Sequence, residues 1–218
     1  MVRFTEPAGI VPHFGREEAE GRGQWYIGPE HLLVGLLRQG DNPAATLLRE
    51  HGLDLPTVRA GIDRLVDQGA LPGPRPDDAE LLATLGIDLG AALGHIKDTF
   101  GDWAYYDAAQ EAQLRRVSPV PHTPGSGTPL TRHRVLLLAV QEAVARDHDV
   151  GPLDLLLGLL RDAEDPVETD LVPQEQRRRA MLGLPNRGPS PVRQLVEAQG
   201  LTLDQLRAAV VERLDRGR

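Results

Sequence analysis

The chain has 218 residues, of which 40% are hydrophobic and only 4% aromatic, and it carries a net charge of −8. That length allows one sizeable core or two small ones, built from Leu, Ala and Val, a mixture that favours helices over sheet. The acidic balance excludes a general nucleic-acid binder and a partner of anionic membrane surfaces, and the lack of cysteine excludes disulfides, thiolate nucleophiles and Cys-type metal sites. No apolar run reaches ~20 residues, and residues 1–15 hold no signal-like segment, so a cytoplasmic protein without a membrane span is expected.

Residues 1–70 read as a first helical repeat. Pro12 and Gly15 stand in what should be the interior of its first helix, so that helix is expected to start at Pro12 or to kink there. The next helix opens at Gly28-Pro29, with proline at the first helical position and Gly40 where the helix would end. Between them Leu32, Leu33, Leu36 and Leu37 form an apolar stripe at helical spacing. Glu30 falls in the first turn, where a carboxylate suits the helix dipole. A carboxylate there can also grip a guanidinium through two parallel hydrogen bonds, and the residues alone leave both roles open. His31 borders the stripe and reads as a packed or hydrogen-bonded histidine rather than a ligand. Further on, Gly52 ends one helix and Asp54 is placed to cap the next.

Residues 71–117 read as a helical insertion, with Ala70 to Asp77 linker-like in composition. Gly86-Ile87-Asp88-Leu89 repeats the glycine-then-cap pattern in part. Trp103, Tyr105 and Tyr106 cluster, which suits a core or helix–helix contact better than a ligand cage. Residues 118–129, rich in Pro, Ser, Thr and Gly, read as a linker.

Residues 130–218 read as a second repeat. Gly151 to Arg161 matches Gly28 to Arg38 at eight of eleven positions, an offset of 123. Gly35 and Gly158 lie inside the matching helices, where each costs about 1 kcal/mol relative to Ala; their recurrence predicts close approach of another helix. A second motif, Leu47-Leu48 to Arg59, recurs as Leu195-Val196 to Arg207 at an offset of 148, with Thr202 in the place of Asp54. The difference of 25 residues points to a looped-out insertion near 162–189, which contains four prolines and the run Arg177-Arg178-Arg179, read as a solvated face.

Motifs for chemistry are missing. The sole lysine, Lys97, lies outside any phosphate-cradling Gly-x-x-x-x-Gly-Lys, and neither Gly-x-Ser-x-Gly nor His-Glu-x-x-His occurs. The seven histidines include no pair at i, i+3 or i+4. The expectation is a non-enzyme with no cofactor and no metal.

The chain resembles the N-terminal domain of the Clp unfoldases, ClpC above all. The resemblance rests on Phe4-Thr5-Glu6-Pro7-Ala8, Glu17-Glu18-Ala19, Tyr26-Ile27-Gly28-Pro29-Glu30-His31-Leu32-Leu33-Val34-Gly35-Leu36 and Gly52 to Arg59. A fainter copy runs from Leu130-Thr131-Arg132 through Glu142-Ala143 and Val150-Gly151 to Arg207. It implies an all-α fold of two pseudo-twofold Clp helical repeats, here as a stand-alone N-domain without AAA+ ATPase modules. It further implies a module that binds Clp substrates, adaptors or Clp ATPase and protease components, as an accessory or decoy factor in proteolysis. By the same resemblance Thr5, Glu30 and Thr131 are candidates for holding phosphorylated arginine, and cyclic-peptide antibiotics are candidate ligands. In the second copy Leu153 replaces the glutamate, so one of the two pockets is expected to be lost.

Two alternatives stay open at this stage. One is an interaction module whose ancestral site has decayed. The other is a hydrolase with a composite His/Asp/Glu site near His95 and Trp103.

Overall fold

The computed structural model describes residues 2–24, 26–74, 130–164 and 188–216, with positions 83, 86–88, 90–92, 94–95 and 98–99; at 130–133 it describes the backbone path alone. Residues 1–73 and 128–218 form one compact unit, and residues 74–127 a second. In the second unit, described positions 83, 90–92, 94–95 and 98–99 are helical. The aromatic cluster at 103–106, the linker at 118–129 and the arginine run at 177–179 lie outside the described residues.

The first unit is all-α. Its first repeat comprises α1 (Glu6–Gly21), α2 (Pro29–Arg38), α3 (Pro43–Glu50) and α4 (Leu55–Asp67). Its second comprises α5 (Leu130–Ala145), α6 (Pro152–Glu164), α7 (Pro191–Glu197) and α8 (Leu203–Arg216). Helices α3 and α4 start 148 positions before α7 and α8, and α2 starts 123 before α6, as the motifs predict. Helix α6 runs on to Glu164, so its last turn enters the stretch expected as insertion.

Helix starts follow local chemistry. Proline opens α2, α3, α6 and α7, where its missing N–H costs nothing. Asp54 Oδ1 accepts from Thr57 N at 2.8 Å, and Asp88 Oδ1 from Ala91 N at 3.0 Å. Thr202 and Gln205 exchange two such bonds, Gln205 N to Thr202 Oγ1 at 3.1 Å and Thr202 N to Gln205 Oε1 at 2.9 Å. The glycines before these three caps, Gly52, Gly86 and Gly200, have φ of +77°, +74° and +72°, the left-handed turn that favours glycine.

The first helix does not start at Pro12. It begins at Glu6, and Pro12 lies inside it. Thr5 caps it by accepting from Ala8 N at 3.4 Å, and Pro7 sits in the first turn. The cost of Pro12, about 3 kcal/mol, is offset by tertiary packing, since Ala8, Val11, Gly15 and Ala19 are all buried.

Helices α2 and α6 form the centre. Every residue from Pro29 to Leu37 and from Pro152 to Leu160 is buried, the pattern of a helix covered on all sides. They touch each other; α1 covers α2, and α5 covers α6. The repeats also interlock, because α7 packs on α2 and α4 while α3 packs on α6 and α8. A short clasp adds to this: Val150 N donates to Arg3 O at 2.8 Å, and Thr5 N to Val150 O at 3.0 Å.

The recurring glycines are contact points. A Cβ on Gly35 would stand 2.5 Å from Val11 O, and one on Gly158 would stand 2.5 Å from Val135 O. Both neighbours are backbone, which cannot swing aside as a side chain would. Val11 and Val135 are 124 positions apart, as are the starts of α1 and α5; the loop before α6 is therefore one residue shorter than the loop before α2.

Gly35→Ala and Gly158→Ala should each destabilise the protein by about 1–3 kcal/mol, against a gain in helix propensity of about 1 kcal/mol at an unobstructed site. Urea unfolding of both variants checks this.

Candidate binding site

The loop entering α2 is held by a chain of buried side chains. His31, the third residue of α2, turns back so that its Nδ1 accepts from Gly28 N at 2.9 Å. Its other nitrogen must then carry the proton, and Nε2 donates to Gln24 Oε1 at 2.7 Å. Gln24 Nε2 donates onward to Pro72 O at 2.6 Å. The Tyr26 ring lies 5.3 Å from the imidazole. Burial pushes the His31 pKa down to about 3, with nearby Arg22 acting in the same direction. His31 is thus a neutral structural histidine, as its place beside the stripe suggested.

Glu30 is fully buried. Its carboxylate folds back over Gly28, where a Cβ would collide with both of its oxygens. Glu30 Oε1 lies 3.4 Å from His31 Nδ1. A side chain at position 28 would displace that carboxylate from its place over the loop.

Thr5 stands in a different environment. Its hydroxyl donates to Val150 O at 3.1 Å and accepts from Ala8 N. So Thr5 faces the loop that enters α6 and is not bonded to Glu30. Thr131 is the second residue of α5, and its side chain lies outside the described residues. In the 124-position register it corresponds to Pro7 rather than to the capping Thr5.

The second repeat mirrors the first at the equivalent of His31. There Asp154 turns back, and Gly151 N donates to its Oδ2 at 2.8 Å. Leu153, in the place of Glu30, is 7% exposed and packs into the core. Burial raises the Asp154 carboxyl above its usual range, opposed by the Gly151 amide, His148 and Arg146. The offset of 123 pairs Asp154 with His31, and that alignment was the available signal for its capping role; helical spacing from Leu153 did not reveal it.

Ion pairs also recur around the first helix of each repeat. Glu18 receives Arg59 at 2.5 Å and Arg22 at 3.0 Å. Glu142 receives Arg146 at 2.6 Å and Arg161 at 2.9 Å. Burial alone would push both carboxyls up, but the arginine hydrogen bonds more than reverse it and both end lowered. Among the described residues no group of His, Asp and Glu is placed to hold a metal ion, and no helix is long and apolar enough to cross a membrane. His95 is exposed, and Trp103 lies outside the described residues.

Protonation of His31 should couple to unfolding. Its folded pKa of about 3 lies below the ordinary 6.5, so its contribution is complete above pH 6.5 and is lost as pH falls toward 3, by up to about 1.4 kcal/mol per pH unit. Urea melts from pH 7 to 4.5 should therefore show wild type losing stability more steeply than His31→Asn. The difference isolates the histidine, since Glu18, Glu142 and Asp154 titrate in both proteins.

Residues 3–84 match the family described as the Clp repeat (R) N-terminal domain. The chain is 41% identical over 89 residues to an ATP-dependent Clp protease ATP-binding subunit ClpA homolog of Guillardia theta, an alignment covering 41% of this chain and 10% of that protein. It is 42% identical over 69 residues to the chloroplastic chaperone protein ClpC of Pisum sativum, covering 32% of this chain and 8% of that one. The matched stretch thus spans about a tenth of these relatives. The crystal structure of the N-terminal domain of the chaperone ClpD from Arabidopsis thaliana superposes with a TM-score of 0.51 at 15% identity, covering 98% of this chain and 95% of that one. Residues 3–84 are thus similar in sequence to a Clp repeat N-terminal domain, and the chain shares the fold of the ClpD N-terminal domain.

Proposed function

We propose that this chain is a polypeptide-binding module serving Clp-dependent proteolysis, without chemistry of its own, in the cytoplasm. It would hold substrates or adaptors, as an accessory factor or as a decoy that occupies them. The observation that carries this reading is the family match of residues 3–84 on a fold whose two repeats share one core. Such a fold offers a rigid surface with loops at fixed positions, which is what recognition requires.

Within that reading the first repeat is the ligand-holding half. Glu30 is a buried carboxylate at a helix start, and in such a setting a bidentate guanidinium contact is strong and directional. Thr5, at the start of α1, would serve the phosphate of a phosphorylated arginine there, and Thr131, at the start of α5, is the candidate phosphate contact of the second repeat. The second repeat has Leu153 at the position of Glu30 and would not provide the same grip. Cyclic-peptide antibiotics of the kind that target Clp N-domains are further candidate ligands.

Calorimetric titration with a phosphoarginine peptide tests the assignment. Glu30→Gln should weaken binding at least tenfold, and Thr5→Ala by a smaller factor, while both retain wild-type helical circular dichroism. Equal affinity in wild type and Glu30→Gln would remove Glu30 from the site. Recovery of neither Clp components nor Clp substrates with the immobilised chain would overturn the reading as a whole.

A further inference from the structure

A cavity of about 630 Å³ opens beside the loop that enters α6, within the size range of about 300–1,000 Å³ typical of small-ligand sites. Pro43, Pro152, Leu153 and Leu214 give it apolar walls. Asp154 also lines it, with its side chain 1% exposed. One Asp154 oxygen is occupied by the Gly151 amide, with His148 Nδ1 at 3.7 Å; the other, Oδ1, is buried and has no hydrogen-bond partner. A buried acceptor left unsatisfied costs free energy that a suitable donor would recover.

The charges around the cavity indicate the sign of that donor. Arg213 is paired with Glu50 at 2.6 Å, and Arg146 with Glu142 at 2.6 Å. Asp147 and Asp149 stand with Asp154 around the opening. Asp149 is turned toward the clasp, where its Oδ1 accepts from Arg3 N at 2.9 Å. With both arginines engaged by glutamates, the lining carboxylates are in excess, which favours a cation and disfavours a phosphate.

We propose that this cavity takes an unmodified cationic side chain of a bound polypeptide, its aliphatic stem against Leu153 and Leu214 and its terminal N–H group on Asp154 Oδ1. Both a lysine ammonium and an arginine guanidinium have that chemistry. The site is independent of Glu30, and the loss of glutamate at position 153 is what gives the stem its apolar wall. The second repeat would then read a plain basic residue at a place distinct from the Glu30 pocket.

The test is an NMR titration of the full chain at low salt with acetyl-Gly-X-Gly-amide, where X is arginine, lysine, norleucine or phosphoarginine. The arginine or the lysine peptide should move the Gly151 and Leu153 amide resonances and bind at least tenfold more tightly than the norleucine peptide; which of the two binds better identifies the head group. Asp154→Asn keeps an oxygen for the Gly151 amide and should lower that affinity at least tenfold, whereas Glu30→Gln should leave it unchanged. Norleucine binding equally well, unmoved Gly151 and Leu153 resonances in wild type, or phosphoarginine binding this loop more tightly than arginine would overturn the proposal. A failure at Gly151 with phosphoarginine binding still dependent on Glu30 would leave the first-repeat site standing.

Discussion

The structure depends on two helices that no single repeat can cover. Helix α2 has ten residues and nine of them are buried; α6 is buried along all of its first nine. A helix buried on every side must be wrapped on every side, and among the described residues each repeat supplies three other helices, one of them only two turns long. Exchange of coverage solves this: α7 of the second repeat lies on α2, and α3 of the first lies on α6. Gly35 and Gly158 let α1 and α5 approach closely enough to complete the wrapping. The repeats are therefore halves of one core rather than two domains in contact.

That shared core explains how the copies could diverge at their helix starts without losing the fold. In both, the third residue of the central helix folds back onto the amide of the glycine that precedes it. In the first copy this residue is a neutral histidine anchored by Gln24; in the second it is Asp154. The position just before it differs more, Glu30 against Leu153. One repeat thus keeps a buried carboxylate over its glycine, and the other presents an apolar wall beside a carboxylate with an oxygen to spare. Two helix starts of different chemistry follow from two adjacent residues in a shared geometry.

Much of this was legible in the sequence. The proline and glycine punctuation locates the central helices, and the Gly35/Gly158 pair marks the close helix contact. The capping roles of Asp54, Asp88 and Thr202 followed from a glycine placed just ahead of each. The start of α1 was not legible, because local propensity at Pro12 was outweighed by a cap at Thr5 and by burial that only the tertiary fold provides. Nor was the placement of Thr5 against Val150 rather than Glu30, since the contact joins residues 145 positions apart. The role of Asp154 was hidden for a related reason: helical spacing treats it as a neighbour of Leu153, whereas its side chain turns back along the chain to the preceding loop.

Native-state hydrogen exchange measures the shared core most directly. If α2 and α6 are covered by each other's repeats, their slowest amides should exchange with the same opening free energy and the same dependence on denaturant, both equal to those of global unfolding. Slow exchange in α2 alongside α6 amides that open at lower free energy and with a smaller denaturant slope would contradict the account, because the second repeat would then unfold while the first stayed intact.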